Sequence, residues 1–482
     1  MKTFAKIIRG AAIVDGSGAQ RYFADVGISG NRIARIGDLS NEVADEIIDA
    51  AGLVLAPGFI DVHSHDDRAV CSTPDMTPKI SQGVTTVIVG NCGFSLSPVV
   101  FDRAPPPPFN ALGGRNDYVF PSVGDYISAI EEAPAAVNVA ILVGHSTLRA
   151  ASMGCLDRPA TEEEICTMVD ALNRALSDGA IGMSTGLAYP TASAAPTSEV
   201  ISLTHSLSQH GGIYVTHMRD ESDAIMEAID ESVKIGMDCN VPVVISHHKC
   251  CGPQNHGRTE ETLAAIRKAQ EDMTLDLDCY PYIASSTVLL ASMLKDSKEV
   301  LVSWSEPHPD LSGRSLASIA QEWSCSEEDA LNRLSPGGAT YFQVSEEDLE
   351  RVMSFPGSMI GSDGLPHDQQ PHPRLWGTFP RVLGRYCRDR GLFSLEEAVN
   401  KMTGKSASVF GLVGRGVIAV GSFADIVLFN PDEVLDRGNF DNPRVPAQGI
   451  ELVLVNGQTV WQDCCWTGSR PGMVLKRTST RT

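Results

Sequence analysis

Eight apolar runs, each ending on a polar or titratable residue, do most to limit what this chain can become. They fall at residues 53–65, 84–92, 137–145, 180–185, 212–217, 241–247, 274–280 and 356–363. Strands buried on both faces read as such runs, which is the mark of a parallel sheet covered by helices. Amphipathic helices separate several of them. One opens at Thr161, where Glu164 completes a capping box. It carries Ile165, Met168, Val169, Leu172 and Leu176 along one face and stops at Gly179. A second spans about 222–236, and Ser394 with Glu397 opens a third. Eight strand–helix units predict an α/β fold, a (β/α)8 TIM barrel whose site lies at the C-terminal strand ends.

The two ends of the chain resemble each other and differ from the middle. Short strand-like segments with turn signals at Asp15-Gly16 and Gly30-Asn31 fill the first 55 residues. From about residue 413 the pattern returns, with Asn456-Gly457 between two apolar runs as a hairpin signal. These features predict one small β-sandwich domain built from residues 1–55 and 413–482, flanking a barrel at 56–412. Residues 103–124, with prolines at 105 to 108, read as an ordered surface excursion. Residues 282–355, with Trp304, Trp323 and Pro307-His308-Pro309, are too long for a plain crossover and predict an inserted lid segment.

Sixty acidic residues against 38 basic ones give a net charge of −22. That balance argues against nucleic acid or an anionic membrane as a partner and leaves a small-molecule substrate. Twelve cysteines include no C-x-x-C pair, and Cys250-Cys251 and Cys464-Cys465 are vicinal. This usage suits free thiols in a reducing compartment. Met1-Lys2-Thr3-Phe4-Ala5 passes straight into strand-like sequence, and no run reaches 18 apolar residues. A cytoplasmic enzyme is expected; nothing in the sequence specifies an oligomeric state.

The strand exits concentrate chemistry: His63 and His65, Cys92, His145, Ser184 and Thr185, His217, His247, Tyr280 and Asp363. His63 and His65 stand at i and i+2, so on a strand both imidazoles face one space. Imidazole is the usual nitrogen donor for a divalent transition metal. His63 and His65 are placed to hold one ion, and His217 with His247 a second. Cys92, within Gly90-Asn91-Cys92-Gly93, is either a thiolate ligand or a small core residue. Asp363 either caps the next helix or, beside a metal, coordinates it and exchanges a proton with activated water. The reaction class read from these residues is metal-assisted hydrolysis.

At this point the chain resembles a known family. The H-x-H after an apolar strand, the histidines ending strands five and six, and the strand-eight aspartate are similar to the amidohydrolase superfamily. Gly144-His145-Ser146-Thr147-Leu148-Arg149, Thr216-His217-Met218-Arg219-Asp220-Glu221, Ser246-His247-His248-Lys249, Gly361-Ser362-Asp363-Gly364-Leu365-Pro366 and Pro371-His372-Pro373-Arg374-Leu375-Trp376-Gly377 resemble D-aminoacylases, the N-acyl-D-amino-acid deacylases, over nearly the whole chain. The resemblance implies a tightly bound Zn²⁺ on Cys92, His217 and His247, and a weaker second site at His63, His65 and Asp363. It further implies Asp363 as general acid/base. Lys249, Tyr280, Ser286 and Arg374 match positions that bind the substrate carboxylate or the reacting amide. His145 and His248 are read as supporting or packing residues.

Side-chain choice is expected to rest on the loops after strands four and seven: Leu187, Ala188 and Tyr189, the stretch 289–298, then Tyr341 and Val344. Lys295 falls where relatives acting on hydrophobic D-amino acids carry an apolar residue. It either pairs with the carboxylate of an N-acyl-D-glutamate or N-acyl-D-aspartate, or extends to solvent beside Asp296 and Lys298. Apolar and acidic substrates of the Leu, Met, Phe, Glu or Asp type are both expected candidates. A cyclic-amide hydrolase would need a lysine on strand four, where the chain has Met183-Ser184-Thr185. A deaminase would need His-x-x-Glu after strand five. A scaffold that had lost catalysis would show a damaged ligand set, and all six candidate ligands are present.

Overall fold

The computed structural model describes residues 4–477. At its centre eight parallel strands are hydrogen-bonded in chain order: β1 (Phe59–Asp61), β2 (Val84–Val89), β3 (Asn138–Gly144), β4 (Gly182–Gly186), β5 (Ile213–His217), β6 (Val243–Ile245), β7 (Leu275–Cys279) and β8 (Ser358–Ile360). Loop residues close the barrel between β8 and β1. Ser64 bridges Gly364, the Asp363 N–H donates to the His63 carbonyl at 2.7 Å, and the His65 N–H to that of Gly364 at 3.3 Å. The closing seam is therefore made by the loops that carry three candidate ligands.

Side-chain alternation explains the apolar runs. Ile60, Ile88, Leu142, Ile213, Val215, Val244 and Met359 form one buried cluster with Phe410, Leu412 and Leu475, whereas Val84, Val87 and Val89 pack into the layer shared with the helices. The run at 53–65 proves to be two strands. Val54–Pro57 joins a separate sheet, and the chain turns at Gly58 into β1. A Cβ at Gly58 would lie 2.1 Å from Thr85 Cγ2, so a larger residue there would force β1 off β2.

The helix Glu162–Asp178 carries the expected capping box: Thr161 accepts from the Glu164 N–H, and Glu164 from the Thr161 N–H at 2.8 Å. The helix expected at 222–236 is Ile225–Cys239 instead. Asp220 accepts from the N–H groups of Ser222 and Ala224, which holds those residues in a turn and delays the start.

Both ends of the chain supply the remaining large sheets. Four strands, with Phe4–Arg9 between Asp25–Ser29 and Ala44–Asp49, form one. Seven short strands, including Val54–Pro57, Ile426–Phe429, Ile450–Val455 and Gln458–Gln462, form the other. Ile8, Ile13, Val26, Leu55, Ile426 and Leu454 make their shared core. Asn456 and Gly457, at φ 49° and 78°, form the hairpin turn. Val474–Leu475 leaves this region and pairs in parallel with Val139 and Ala140 of β3. It fills the edge that β4, beginning opposite Leu142, leaves open.

The insertion is a subdomain with its own core. Ala284–Val288, Gly337–Phe342 and Val300–Ser305 form an antiparallel sheet, packed on helices Leu316–Glu322 and Glu327–Leu334 through Val302, Ile319, Leu331, Ala339 and Tyr341. In the excursion, Phe109 and Tyr118 are buried, and the Tyr118 hydroxyl donates to the Phe109 carbonyl at 2.7 Å. Among the described residues no helix is long and apolar enough to cross a membrane.

Candidate metal centre and substrate cavity

Cys92, just beyond β2, is the hub of a ring of donors. His63 Nε2 lies 3.2 Å from its sulfur and His247 Nε2 3.4 Å from it. His247 Nε2 is 3.0 Å from His217 Nδ1. Across the ring, Asp363 Oδ1 sits 3.1 Å from His65 Nε2 and 3.4 Å from His63 Nε2. The donors form two sets that share the thiol: His63, His65, Cys92 and Asp363, and Cys92, His217 and His247, with donor atoms in each set within 4.8 Å of one another. Imidazoles with a thiol and one carboxylate suit a borderline ion such as zinc, whereas calcium and magnesium call for oxygen cages.

Local backbone geometry is bent to achieve this. Cys92, His247 and Asp363 take positive φ values of 54°, 35° and 50°, a conformation that costs an ordinary residue about 1–3 kcal/mol. Gly93 permits the turn at Cys92, since a Cβ there would meet the Gly186 nitrogen at 2.4 Å. Burial pushes the Cys92 thiol up, but the imidazoles of His63 and His247 outweigh it and hold the group well below the usual thiol range. Asp363 is likewise held well below the carboxylate range: burial opposes ionisation, and Arg374 and His63 overcome it.

Two carboxylates that sequence reasoning did not single out support the ring. Asp278 of β7 lies 3.2 Å from His63 Nδ1 and accepts from the His247 backbone N–H at 2.9 Å. Glu221, in the loop after β5, lies 2.9 Å from His247 Nδ1 and 2.7 Å from Lys249 Nζ. The available signal was positional: Asp278 shares a strand face with Tyr280, and Glu221 follows His217 by four residues.

A cavity of about 310 Å³ opens beside the ring, lined among others by His65, His217, His247, Asp363, Lys249, Ser286, Leu290 and Met293. Arg374 and Tyr280 stand directly behind it. Arg374 Nη1 lies 2.9 Å from Asp363 Oδ2, Nη2 donates to the Ser286 carbonyl at 3.0 Å, and the guanidinium stacks 4.5 Å from the Tyr280 ring centroid. Among the described residues, the Tyr280 hydroxyl, Ser286 hydroxyl and Arg374 Nε are buried without a hydrogen-bond partner. Three unsatisfied donors this close together are costly unless a ligand engages them.

The specificity candidates separate. Lys295 and Tyr189 line the cavity together with Phe94, Ala188 and Leu365. The Lys295 side chain is 64% exposed, with its ammonium 3.7 Å from Asp223 and 4.0 Å from Asp296. Tyr341 and Val344 do not line the cavity, which corrects the expectation for both. Tyr341 belongs to the core of the inserted subdomain, where its hydroxyl donates to the Val288 carbonyl and accepts from the Leu290 N–H, both at 3.0 Å. Val344 lines a separate small cavity beside His248 and Leu349. His145 pairs with Glu199 at 3.0 Å and His248 with Thr262 at 2.9 Å, and neither joins the donor ring.

A barrel carrying this donor ring at its C-terminal strand ends is the architecture of a metal-dependent hydrolase, and comparison with known proteins agrees. The amidohydrolase family model matches residues 46–268 and 335–461. A D-aminoacylase of Alcaligenes xylosoxydans xylosoxydans is 51% identical over 99% of this chain and 98% of its own length. An N-acyl-D-aspartate deacylase of the same organism is 45% identical over 97% and 94%. The crystal structure of N-acyl-D-glutamate deacylase from Bordetella bronchiseptica, with zinc and a phosphonate inhibitor, is 43% identical with a TM-score of 0.96, covering 98% of this chain and all of that one. The chain belongs to the D-aminoacylase family of the amidohydrolase superfamily. It is a hydrolase acting on linear amide C–N bonds.

Proposed function

We propose that this enzyme hydrolyses N-acyl-D-amino acids with apolar side chains to a D-amino acid and a carboxylate. The observation that carries the reading is the joining of two donor sets through Cys92, with Asp363 clamped by Arg374 at the cavity edge. We assign Cys92, His217 and His247 to a tightly held zinc, and His63, His65 and Asp363 to a weaker second site. When bound, the metal polarises the amide carbonyl and acidifies water.

The remaining steps belong to side chains of this chain. Arg374 keeps Asp363 ionised and so ready to take a proton from the attacking water. Water oxygen bonds to the acyl carbon, Asp363 passes the proton to the amide nitrogen, and the C–N bond breaks. The substrate carboxylate is held by the unsatisfied donors of Tyr280, Ser286 and Arg374 Nε, with Lys249 adding charge.

Preference for apolar side chains rests on the cavity wall. Phe94, Tyr189, Leu290, Met293 and Leu365 supply its apolar surface, and Asp220 and Asp296 add negative charge that repels an acidic side chain. Lys295 favours the second reading, a D-glutamate or D-aspartate substrate. The test is a kcat/KM panel of N-acetyl-D-Leu, -D-Met, -D-Phe, -D-Glu and -D-Asp with their L-enantiomers. Preference for L-substrates overturns the reading, and preference for D-Glu or D-Asp selects the second.

A further inference from the structure

We infer that Glu221 is a positioning residue that fixes both histidines of the Cys92, His217 and His247 set and ties them to Lys249. The inference rests on the zinc assignment proposed above. His247 turns Nε2 toward Cys92 and His217, so a metal there takes the Nε2 lone pair. The ring proton of neutral His247 then resides on Nδ1, which lies 2.9 Å from Glu221 Oε1 and donates to it. His217 presents Nδ1 to the ring and turns Nε2 toward Glu221 Oε2, 3.9 Å away. One carboxylate thus faces the outer nitrogen of both imidazoles.

The same carboxylate accepts from the Lys249 ammonium at 2.7 Å, and that ammonium also lies 3.0 Å from His247 Nδ1 and 3.1 Å from the His247 carbonyl; of ammonium and carboxylate, only the carboxylate can accept the Nδ1 proton. Glu221 is held in its turn by the chain, for its backbone carbonyl accepts from the Cys251 N–H at 2.7 Å. Glu221 and His247 together therefore set the position from which Lys249 reaches the cavity. The consequence is a link between two functions: the grip on zinc and the placement of the cation proposed to meet the substrate carboxylate depend on one side chain. Asp278 plays no such double part, because among the described residues its side-chain hydrogen bonds end at His63 and the His247 backbone.

The experiment compares wild type, Glu221→Gln, Glu221→Asp and Lys249→Met. Zinc affinity is measured by competition with a chromogenic chelator, and the Co²⁺-substituted proteins are compared by their absorption spectra. Removal of a carboxylate behind a metal-bound histidine costs about 10–100-fold in affinity, the loss expected for Glu221→Gln, together with an altered Co²⁺ spectrum and a raised KM. Glu221→Asp should recover part of the affinity. Lys249→Met should raise KM while keeping zinc affinity and the Co²⁺ spectrum close to wild type. Wild-type affinity and spectrum in Glu221→Gln would overturn the inference. Should that variant fail to fold, full zinc affinity in Glu221→Asp with the wild-type Co²⁺ spectrum would overturn it equally. An equal loss of zinc in Lys249→Met would do so too, by showing general collapse of the pocket. If wild type itself holds no zinc, the zinc assignment fails instead, which separates the two outcomes.

Discussion

Replacing Lys295 by leucine isolates the feature on which the substrate choice turns. In a dry pocket, a lysine paired with the side-chain carboxylate of a D-glutamyl substrate would be worth several kcal/mol. Here the Lys295 side chain is 64% exposed and already lies 3.7 Å from Asp223. Exposed ion pairs are worth about 0.2–1 kcal/mol, and Asp223 competes for the same ammonium. At about 1.4 kcal/mol per tenfold, the pair supplies at most about a fivefold preference. Lys295→Leu should therefore lower kcat/KM for N-acetyl-D-Glu by no more than about fivefold. For N-acetyl-D-Leu and N-acetyl-D-Met it should stay unchanged or rise, since the new side chain adds apolar surface at the cavity rim. The assay is steady-state hydrolysis of the three substrates by both proteins, at low salt and again at high salt. Salt should erase most of any D-Glu effect, because an exposed pair is screened. A loss of a hundredfold or more on N-acetyl-D-Glu, insensitive to salt, would refute the reasoning and place Lys295 inside a desolvated carboxylate subsite.

Three other outcomes are expected. Cys92→Ala should lose bound zinc and turnover together, read by elemental analysis after dialysis, because it removes the donor common to both sets. Asp363→Asn should retain zinc on the other set and lose about 10²–10⁴-fold in kcat, the range for a displaced general acid/base. Glu199 gives a prediction on stability and pH. Burial raises its carboxyl, but His145 and the fully buried Arg149 bring it down to about 2 from a usual 4.5. That shift corresponds to about 3 kcal/mol, in line with the roughly 3–5 kcal/mol lost when one partner of a buried pair is removed. A folded value below the unfolded one stabilises above pH 4.5 and is lost as pH falls toward 2. Glu199→Gln should melt a few degrees below wild type at pH 7, with the gap closing in calorimetry as pH is lowered through 4.5.

Most of the barrel was legible because burial on two faces leaves a plain mark in sequence. Ile88 points inward and Val87 and Val89 outward, so all three must be apolar, and the run ends at Gly90-Asn91-Cys92, where the buried strand gives way to the site. Pro57-Gly58 carries a turn signal, but the change of sheet there was not legible: Val54–Pro57 and β1 are both fully buried, and no polar residue divides them. What separates them is the approach of Thr85, a contact across 27 residues. Tyr341 misled in the opposite direction. Its strand, Gly337–Phe342, leads directly to Gln343 on the cavity wall, yet the Tyr341 hydroxyl is taken up by Val288 and Leu290 on the facing strand and its end. A sequence position near the site does not set the direction of a side chain; the register of the sheet it joins does.

The site shows the same division more sharply. His63, His65, Cys92, His217, His247 and Asp363 could be picked out because metal donors belong to few residue types and because barrel strand ends converge. Glu221 and Asp278 could not, since a carboxylate is common in a chain with 60 of them. Their importance lies in which ring nitrogen they face, and that follows from the register of β5 against β6 and of β6 against β7. In that register Thr216 pairs with Ile245, and Ile245 with Leu277. The ladder sets Asp278 one residue beyond the Ile245–Leu277 pair, beside the β6 exit from which His247 projects. A one-residue slip of β7 would turn Asp278 to the opposite face and leave His63 Nδ1 without its acceptor. The donor ring is thus specified by residue type, and its orientation by strand register, which only the folded barrel supplies.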